Sequence, residues 1–451
     1  MFTPFILSTL LISVVHSLNV SSYANDFVDP DYILARSFNE TTTAAQQSII
    51  QWADEYTAKG PWSVMNKSVT PPSGNKHDYL SWAPYSWPNC TGVGNTTELT
   101  PEQMSVECQY YTRDGIFNPD HTLVTDNAGF GLLSDTVLYN AIAWALTGQS
   151  NYSTTVANYV STWFLNPDTA MLPNLNYGQL HRGPTGQNGS HTGVLDLKNM
   201  AKIVSGLLIL RNGNSTAWTS DLNTKMESWM KEYISWLTTA PIALEEGAYP
   251  NNHGTFYYNQ LSAIQVFIDD KTAAQQSLQK YFSNQYMKQI VASGDQPEES
   301  ARPVPYHYRA YNLAAMITNA RIAKYIGYDV WNLTTSQGAT IQTALDFAMV
   351  QTTTTETDAL YELYQPAAAV AAAYGDPTGK YAQYLAKGDN TYPEQAYFLW
   401  SQPLSDSGLL ANSSSSGSTA AHQNAARADA SIHLWALTGI VVLTSFIAIL
   451  S

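Results

Sequence analysis

Two short segments concentrate residue types that can hold an anion and move a proton. The first, EEGAYPNNHGTF at residues 245–256, places Asn251, Asn252 and His253 directly after Pro250. Apolar residues then recur at Leu261, Ile264 and Ile268, in the three-and-four rhythm of a buried helical face. Proline disfavours helix before it, so the triplet falls at a helix N-terminus. One Asn is accounted for as the N-cap. The triplet with His also suits an anion received by the free N–H groups at the positive end of the helix dipole. On this segment alone both readings stay open. The second segment, ESARPVPYHYRAYNL at 299–313, starts another helix near Tyr306, because Pro303 and Pro305 force an extended approach. It carries Arg302, His307, Tyr308, Arg309 and Tyr311, which supply cations for charge and phenols and an imidazole for protons.

The elements that must position these residues are helical. MAKIVSGLLIL puts Met200, Ile203, Val204, Leu207 and Leu208 on one face, and YNLAAMITNARIAKYI does so with Leu313, Met316, Ile317, Ala320 and Ala323. Further helices are predicted near 44–58, 131–147, 152–164, 219–239, 272–289, 336–350 and 378–387. Strand alternation is nowhere sustained, so the fold class is mainly α. A body from about 18 to 405 exceeds a usual single core. Successive helical hairpins around a ring resolve that, since each buries its face on its neighbours.

Composition narrows the function. A formal net charge of −15 argues against nucleic acid and against an anionic membrane surface. It leaves an anionic substrate open, since a cleft can be locally basic on an acidic body. The chain holds 29 Tyr and 12 Trp, many in turn-rich stretches such as HDYLSWAPYSWPNC at 77–90. Some are ordinary core; the others, flanked by Asn, Gln and His, suit sugar faces. No paired-cysteine spacing and no HExxH occur, and the nine His are scattered, so neither a metal nor a cofactor is expected.

The chain ends point to the secretory route. Residues 1–17 read as a signal peptide with an apolar core from Phe5 to Val15. Residues 406–430 read as a disordered Ser/Ala-rich stalk, and 431–451 as the apolar tail of a GPI-attachment signal, with small residues at 412–421. A single membrane span is the competing reading of that tail. Asn19, Asn39, Asn66, Asn89, Asn95, Asn151, Asn188, Asn214, Asn332 and Asn412 each head a glycosylation triplet. In an oxidising compartment Cys90 and Cys108 are expected to pair, which the loop-entropy relation values at about 3 kcal/mol. The expectation is a secreted, lipid-anchored monomer at the cell surface.

Three patterns resemble the alginate-lyase-like polysaccharide lyases, enzymes built on incomplete (α/α) toroids of helical hairpins. They are DYLSWAPYSWP at 78–88 followed by RDGIFNPD at 113–120, then NNH at 251–253, then an Arg before YHYRAYNL. Together they span most of residues 75–315 in the family's order. The interval from Arg to Tyr looks closer to glucuronan and mannuronan lyases than to the bacterial alginate lyases. The latter carry their Arg nearer the NL element, where this chain has Val304.

The resemblance implies β-elimination on an anionic polyuronate, in which a proton leaves C5 and the glycosidic oxygen leaves C4. The C5 proton is barely acidic beside an ionised carboxylate, so that charge must be neutralised. Asn252, His253 and Arg302 match the positions that do so, with Asn251 as a stand-in for Asn252. Tyr308 matches the proton shuttle, and Tyr311 is the alternative. In gluco- and manno-configured uronates the C5 hydrogen and C4 oxygen share a side, so one Tyr can take the first proton and protonate the leaving oxygen. Ionising a Tyr at pH 7 costs roughly 4 kcal/mol, which Arg302 or Arg309 could lower. Asp78, Tyr79, Tyr85 and Trp87 match the family's cleft motif, and Gln179 and Arg182 in YGQLHRG, with His307 and Arg309, complete the expected sugar contacts.

Two rivals remain. A glycoside hydrolase on an (α/α) ring would use two opposed carboxylates, and Glu245, Glu246, Asp295, Glu298 and Glu299 supply the raw material. A noncatalytic surface protein could bind polyuronate through the same aromatic cleft.

Overall fold

The computed structural model describes residues 26–94 and 99–402. The expected signal peptide, stalk and tail, and Asn19, Asn95 and Asn412, lie outside these residues. The ring is present. Thr43–Thr57 packs on Asp126–Thr147, which packs on Met200–Asn212, and contact passes on through Asn252–Phe267 and Pro305–Tyr325 to Tyr364–Tyr374. The short helix Ala396–Trp400 touches both Tyr364–Tyr374 and Thr43–Thr57, so the circle closes through five residues rather than a full hairpin. Tyr32 Oη donates to the Leu399 carbonyl at 2.9 Å, and Trp400 Nε1 to Asp26 at 2.7 Å, fastening both ends of the body at the seam.

An outer layer covers the ring. Ser150–Val160 lies on Asp126–Thr147, Ser220–Thr239 and Lys271–Ser283 on Asn252–Phe267, Ile341–Met349 on Pro305–Tyr325, and Lys380–Gly388 on Tyr364–Tyr374. The inner helices are therefore buried on nearly every side, not on one face as their periodicity predicts. In Asn252–Phe267 every residue but His253 is buried. The polar ones find partners across the ring: Asn259 donates to the Ala315 carbonyl at 3.0 Å and Gln260 to the Val194 carbonyl at 2.8 Å. Met200–Asn212 approaches Asp126–Thr147 so closely at Gly206 that a Cβ there would lie 2.8 Å from the Val137 carbonyl oxygen. Only glycine fits that crossing.

The predicted helix at 272–289 is broken into Lys271–Ser283 and Tyr286–Gln289, and the one at 131–147 starts earlier, at Asp126. Two small sheets appear where sequence alternation is too short to register. Leu80–Trp82 runs parallel to Tyr177–Leu180. Ser86–Asn89 pairs antiparallel with Gln109–Thr112, Asn89 opposite Gln109, and the Cys90–Cys108 disulfide joins the strands just beyond that pair. These ribbons carry the DYLSWAPYSWP motif over the ring. Asn39, Asn66, Asn89, Asn151, Asn188, Asn214 and Asn332 are all exposed.

Candidate active site

Both proline-gated helix starts form as the sequence predicts. Asn251 is the N-cap of Asn252–Phe267 and accepts the His253 N–H at 3.2 Å. An anion does sit at this helix N-terminus, but it belongs to the chain. Glu299 accepts the backbone N–H of Asn252 at 2.7 Å and its Nδ2 at 2.7 Å. Asn252 is 1% exposed. This corrects its expected role: its amide is spent on Glu299 rather than open to a substrate carboxylate. Burial drives the Glu299 pKa up to about 7, against the lowering effect of the Asn252 bonds, His253 and Arg302.

His253 is held by a residue from the preceding helix, Pro241–Ala248. Its Nδ1 is 2.7 Å from Glu246 Oε1, and the other carboxylate oxygen lies 2.6 Å from Nδ1 of His191. A carboxylate offers only acceptors, so each ring donates from Nδ1 and presents Nε2 as its basic nitrogen. Glu246 is fully buried, and Tyr249 stacks on His191 with centroids 4.4 Å apart. Burial opposes the charged form of His191, yet the Glu246 bond and the charges of Glu246 and Glu245 outweigh it and raise its pKa. Donor atoms of His191, Glu246 and His253 lie within 4.8 Å of one another, close enough to share a cation. The short Nδ1–carboxylate contacts already satisfy the cluster as hydrogen bonds.

The second helix start, Pro305–Tyr325, presents the proton chemistry. Arg302 forms a bidentate pair with Asp114, Nε to Oδ2 at 3.0 Å and Nη2 to Oδ1 at 2.7 Å. The same Nη2 donates to Tyr308 Oη at 2.7 Å, and the guanidinium lies 3.8 Å from the Tyr308 ring centroid. Tyr308 in turn donates to Tyr85 Oη at 3.1 Å. Burial, with the neighbouring Tyr85, raises the Tyr308 pKa far above the ordinary phenol value, and Arg302 only moderates this. Burial therefore favours the protonated phenol at Tyr308. Tyr311, one turn on, packs on Phe256 at 4.3 Å and stacks on His307 at 5.5 Å.

Several expected sugar contacts are placed elsewhere. Tyr79 is buried, its hydroxyl donating to Asp196 at 3.1 Å. Asp78 is buried and accepts from Ser73 at 2.6 Å. Arg182 has no exposed side-chain surface: it pairs with Asp120 at 2.6 Å and is sandwiched between Trp82 and Tyr110. Arg309 pairs with Asp295 at 3.0 Å, and the cation bonded to the Tyr308 hydroxyl is Arg302. Gln179 is tied to Asp196 at 3.1 Å, and His307 to Glu362 at 2.8 Å. Half-buried Tyr85 and Trp87 remain at the cleft rim, the latter under Arg113. Exposed Tyr111 and Phe117 stand beside them, Phe117 edge-on to Tyr85 at 5.2 Å.

Sequence reasoning missed four site residues. Glu246 and Glu299 were read as hydrolase raw material and Asp114 only as part of a motif, while nothing local in the sequence marks His191. Apart from Glu246 with His253, 7 positions on, their partners lie far away along the chain, so no local spacing signals them.

The family model described as Alginate lyase matches residues 63–358. The crystal structure of an alginate lyase from Bacteroides ovatus is 26% identical, with a TM-score of 0.71 covering 84% of this chain and 100% of that one. Alginate lyase A1-III from Sphingomonas species A1 is 16% identical, with a TM-score of 0.47 covering 85% of this chain and 97% of that one. Among curated proteins none is significantly similar in sequence.

Proposed function

The chain belongs to the alginate lyase family, and from that premise we propose that it cleaves a β-1,4-linked polyuronate by β-elimination with Tyr308 carrying the proton. It is a polysaccharide lyase acting on polyuronate; glucuronan and mannuronan are the substrates this reading favours, because their C5 hydrogen and C4 oxygen share a side. The observation that carries the reading is the contact of Arg302 Nη2 with Tyr308 Oη at 2.7 Å.

In the reaction the C5–H bond breaks, its electron pair forms the C4–C5 double bond, and the C4–O bond breaks toward the leaving sugar. Tyr308 Oη takes the C5 proton and returns it to the leaving oxygen. Because burial keeps this phenol protonated at rest, it must first give up a proton. Its hydrogen bond to half-buried Tyr85 offers a path, Tyr85 releasing its own hydroxyl proton to solvent as it takes that of Tyr308, and Arg302 stabilises the Tyr308 phenolate that results. Arg302 Nη1 and His253 Nε2 have no hydrogen-bond partner among the described residues and can face the substrate.

That open Nε2 supports a second assignment, with His253 as base and Tyr308 as acid only. Elimination is tested with residues 18 to about 410 on glucuronan, polymannuronate, polyguluronate and pectate, following the ultraviolet absorbance of unsaturated ends. New reducing ends without that absorbance would favour the hydrolase. Binding without either signal would favour the noncatalytic protein. For the chain ends we propose secretion, glycosylation and a GPI anchor, supported by their composition and by the exposed sequon asparagines. Release from cells by a phosphatidylinositol-specific phospholipase tests the anchor.

A further inference from the structure

Of the groups expected at the reacting carboxylate, Arg302 Nη1 and His253 Nε2 stay open toward it, while each residue is also bonded within the chain. Asn252 is bonded to Glu299, His253 to Glu246 and Arg302 to Asp114. One cation nearby is not. Lys198 follows the His191–Leu197 turn, which supplies His191, and precedes the Met200–Asn212 helix. Its Nζ stands 5.9 Å from the centroid of the Tyr311 ring, and Tyr311 packs on Phe256 and His307 beside Tyr308.

The carboxylates that could pair with Lys198 are used otherwise. Asp196 accepts from Tyr79, Ser81 and Gln179, and Asp135 is bonded to Lys202 at 2.7 Å. Among the described residues the Lys198 ammonium has neither an ion pair nor a hydrogen bond, only the Tyr311 ring. Burial pulls its pKa down to about 8, against the pull of Asp196. Asp196 acts on Lys198 through space and makes no direct ion pair with it, so an arriving anion meets an ammonium that no carboxylate touches. Lys198 is half-buried rather than sealed in the core.

We infer that Lys198 is a specificity-determining residue that binds a uronate carboxylate of the polymer in the cleft beside Tyr311. The inference rests on the polyuronate-lyase reading and deepens it: Lys198 makes the site select a carboxylate over a neutral hexose. The alternative is a structural cation that holds the Tyr311 ring.

Lys198→Met keeps the aliphatic stem and removes the charge. On the polymer that the wild type cleaves, KM is expected to rise about tenfold or more, the size of one lost ion pair, with kcat within about threefold. Lys198→Arg should recover most of that loss. Unchanged KM with unchanged Tm would overturn the inference, as would a fall in kcat alone. A labelling experiment on the wild-type protein does not depend on the variant folding. Reductive methylation of Lys198 should be suppressed by a tetrauronate and not by its carboxyl-reduced counterpart. Equal suppression by both, or none, would overturn the inference. If the wild type gives no unsaturated product on any polymer, the lyase reading fails, while the labelling still reports whether Lys198 binds uronate.

Discussion

Glu299 receives both the backbone N–H and the side-chain Nδ2 of Asn252, each at 2.7 Å, so the chain supplies its own anion to the helix start that an incoming carboxylate was expected to fill. Asn252 therefore aims the next residue, His253, rather than touching sugar. The arrangement also stores a titration.

The Glu299 carboxyl titrates near 7 in the folded protein against an ordinary 4.5, a difference worth about 3 kcal/mol. The folded state holds this proton more tightly than the unfolded state. Its contribution to stability is complete below about 4.5 and is lost as pH rises through 7. Glu299→Gln has no such proton. Urea unfolding should show wild type losing about 3 kcal/mol relative to the variant between pH 4.5 and pH 8. A difference that does not change with pH would refute the assignment.

Glu246 orients two imidazoles at once, and its removal should be felt in turnover more than in binding. Glu246→Gln can still accept from one ring but must offer its amide N–H to the other, turning that ring to the wrong tautomer. The expected result is a fall in kcat of about 10²-fold with KM changed much less. The raised His191 pKa gives a second readout. Its stabilising contribution is present below the unfolded value of 6.5 and is lost as pH rises through the folded one. In Glu246→Gln, NMR titration should find the His191 pKa lower than in wild type.

Arg182 looks like a substrate contact in sequence and is a structural ion pair in the fold. Arg182→Met would leave Asp120 without its partner and empty the stack between Trp82 and Tyr110. A loss of about 3 kcal/mol in unfolding free energy is expected, with KM of the surviving folded enzyme little changed. A large KM effect at unchanged stability would restore the substrate role.

What could be read from sequence is what acts locally. Proline and capping chemistry place Asn251 and Pro305 at their helix starts, because those effects operate within a few residues. The two cysteines, 18 positions apart, could be paired because the chain has 2 and an oxidising compartment is expected. The charge partners could not. Glu246 meets His191 across 55 positions, Glu299 meets Asn252 across 47, and Arg302 meets Asp114 across 188. Only closure of the ring brings these together. The ring also explains why Tyr79 and Arg182 were misplaced: aromatic and cationic residues in a turn-rich stretch read as exposed until the ribbons fold down over the helices.

Tyr308 and Tyr311 sit one turn apart on Pro305–Tyr325, and the bonding at Tyr308 favours it for the proton step. Its oxygen accepts from Arg302 and its proton is directed at Tyr85, so the atom that must lose and regain a proton has a cation on one side and an acceptor on the other. Tyr311 instead presents its ring, to Phe256, His307 and Lys198. Tyr308→Phe removes one oxygen and is expected to lower kcat by about 10³-fold. Its stability should change by about 1 kcal/mol, since Arg302 keeps Asp114. Tyr311→Phe should stay within about tenfold of wild-type kcat, because its ring survives the change. His253→Gln separates the remaining possibilities. If His253 only positions substrate, KM carries most of the loss; if it is the base, kcat falls as far as in Tyr308→Phe, and Tyr308 is left as the acid alone.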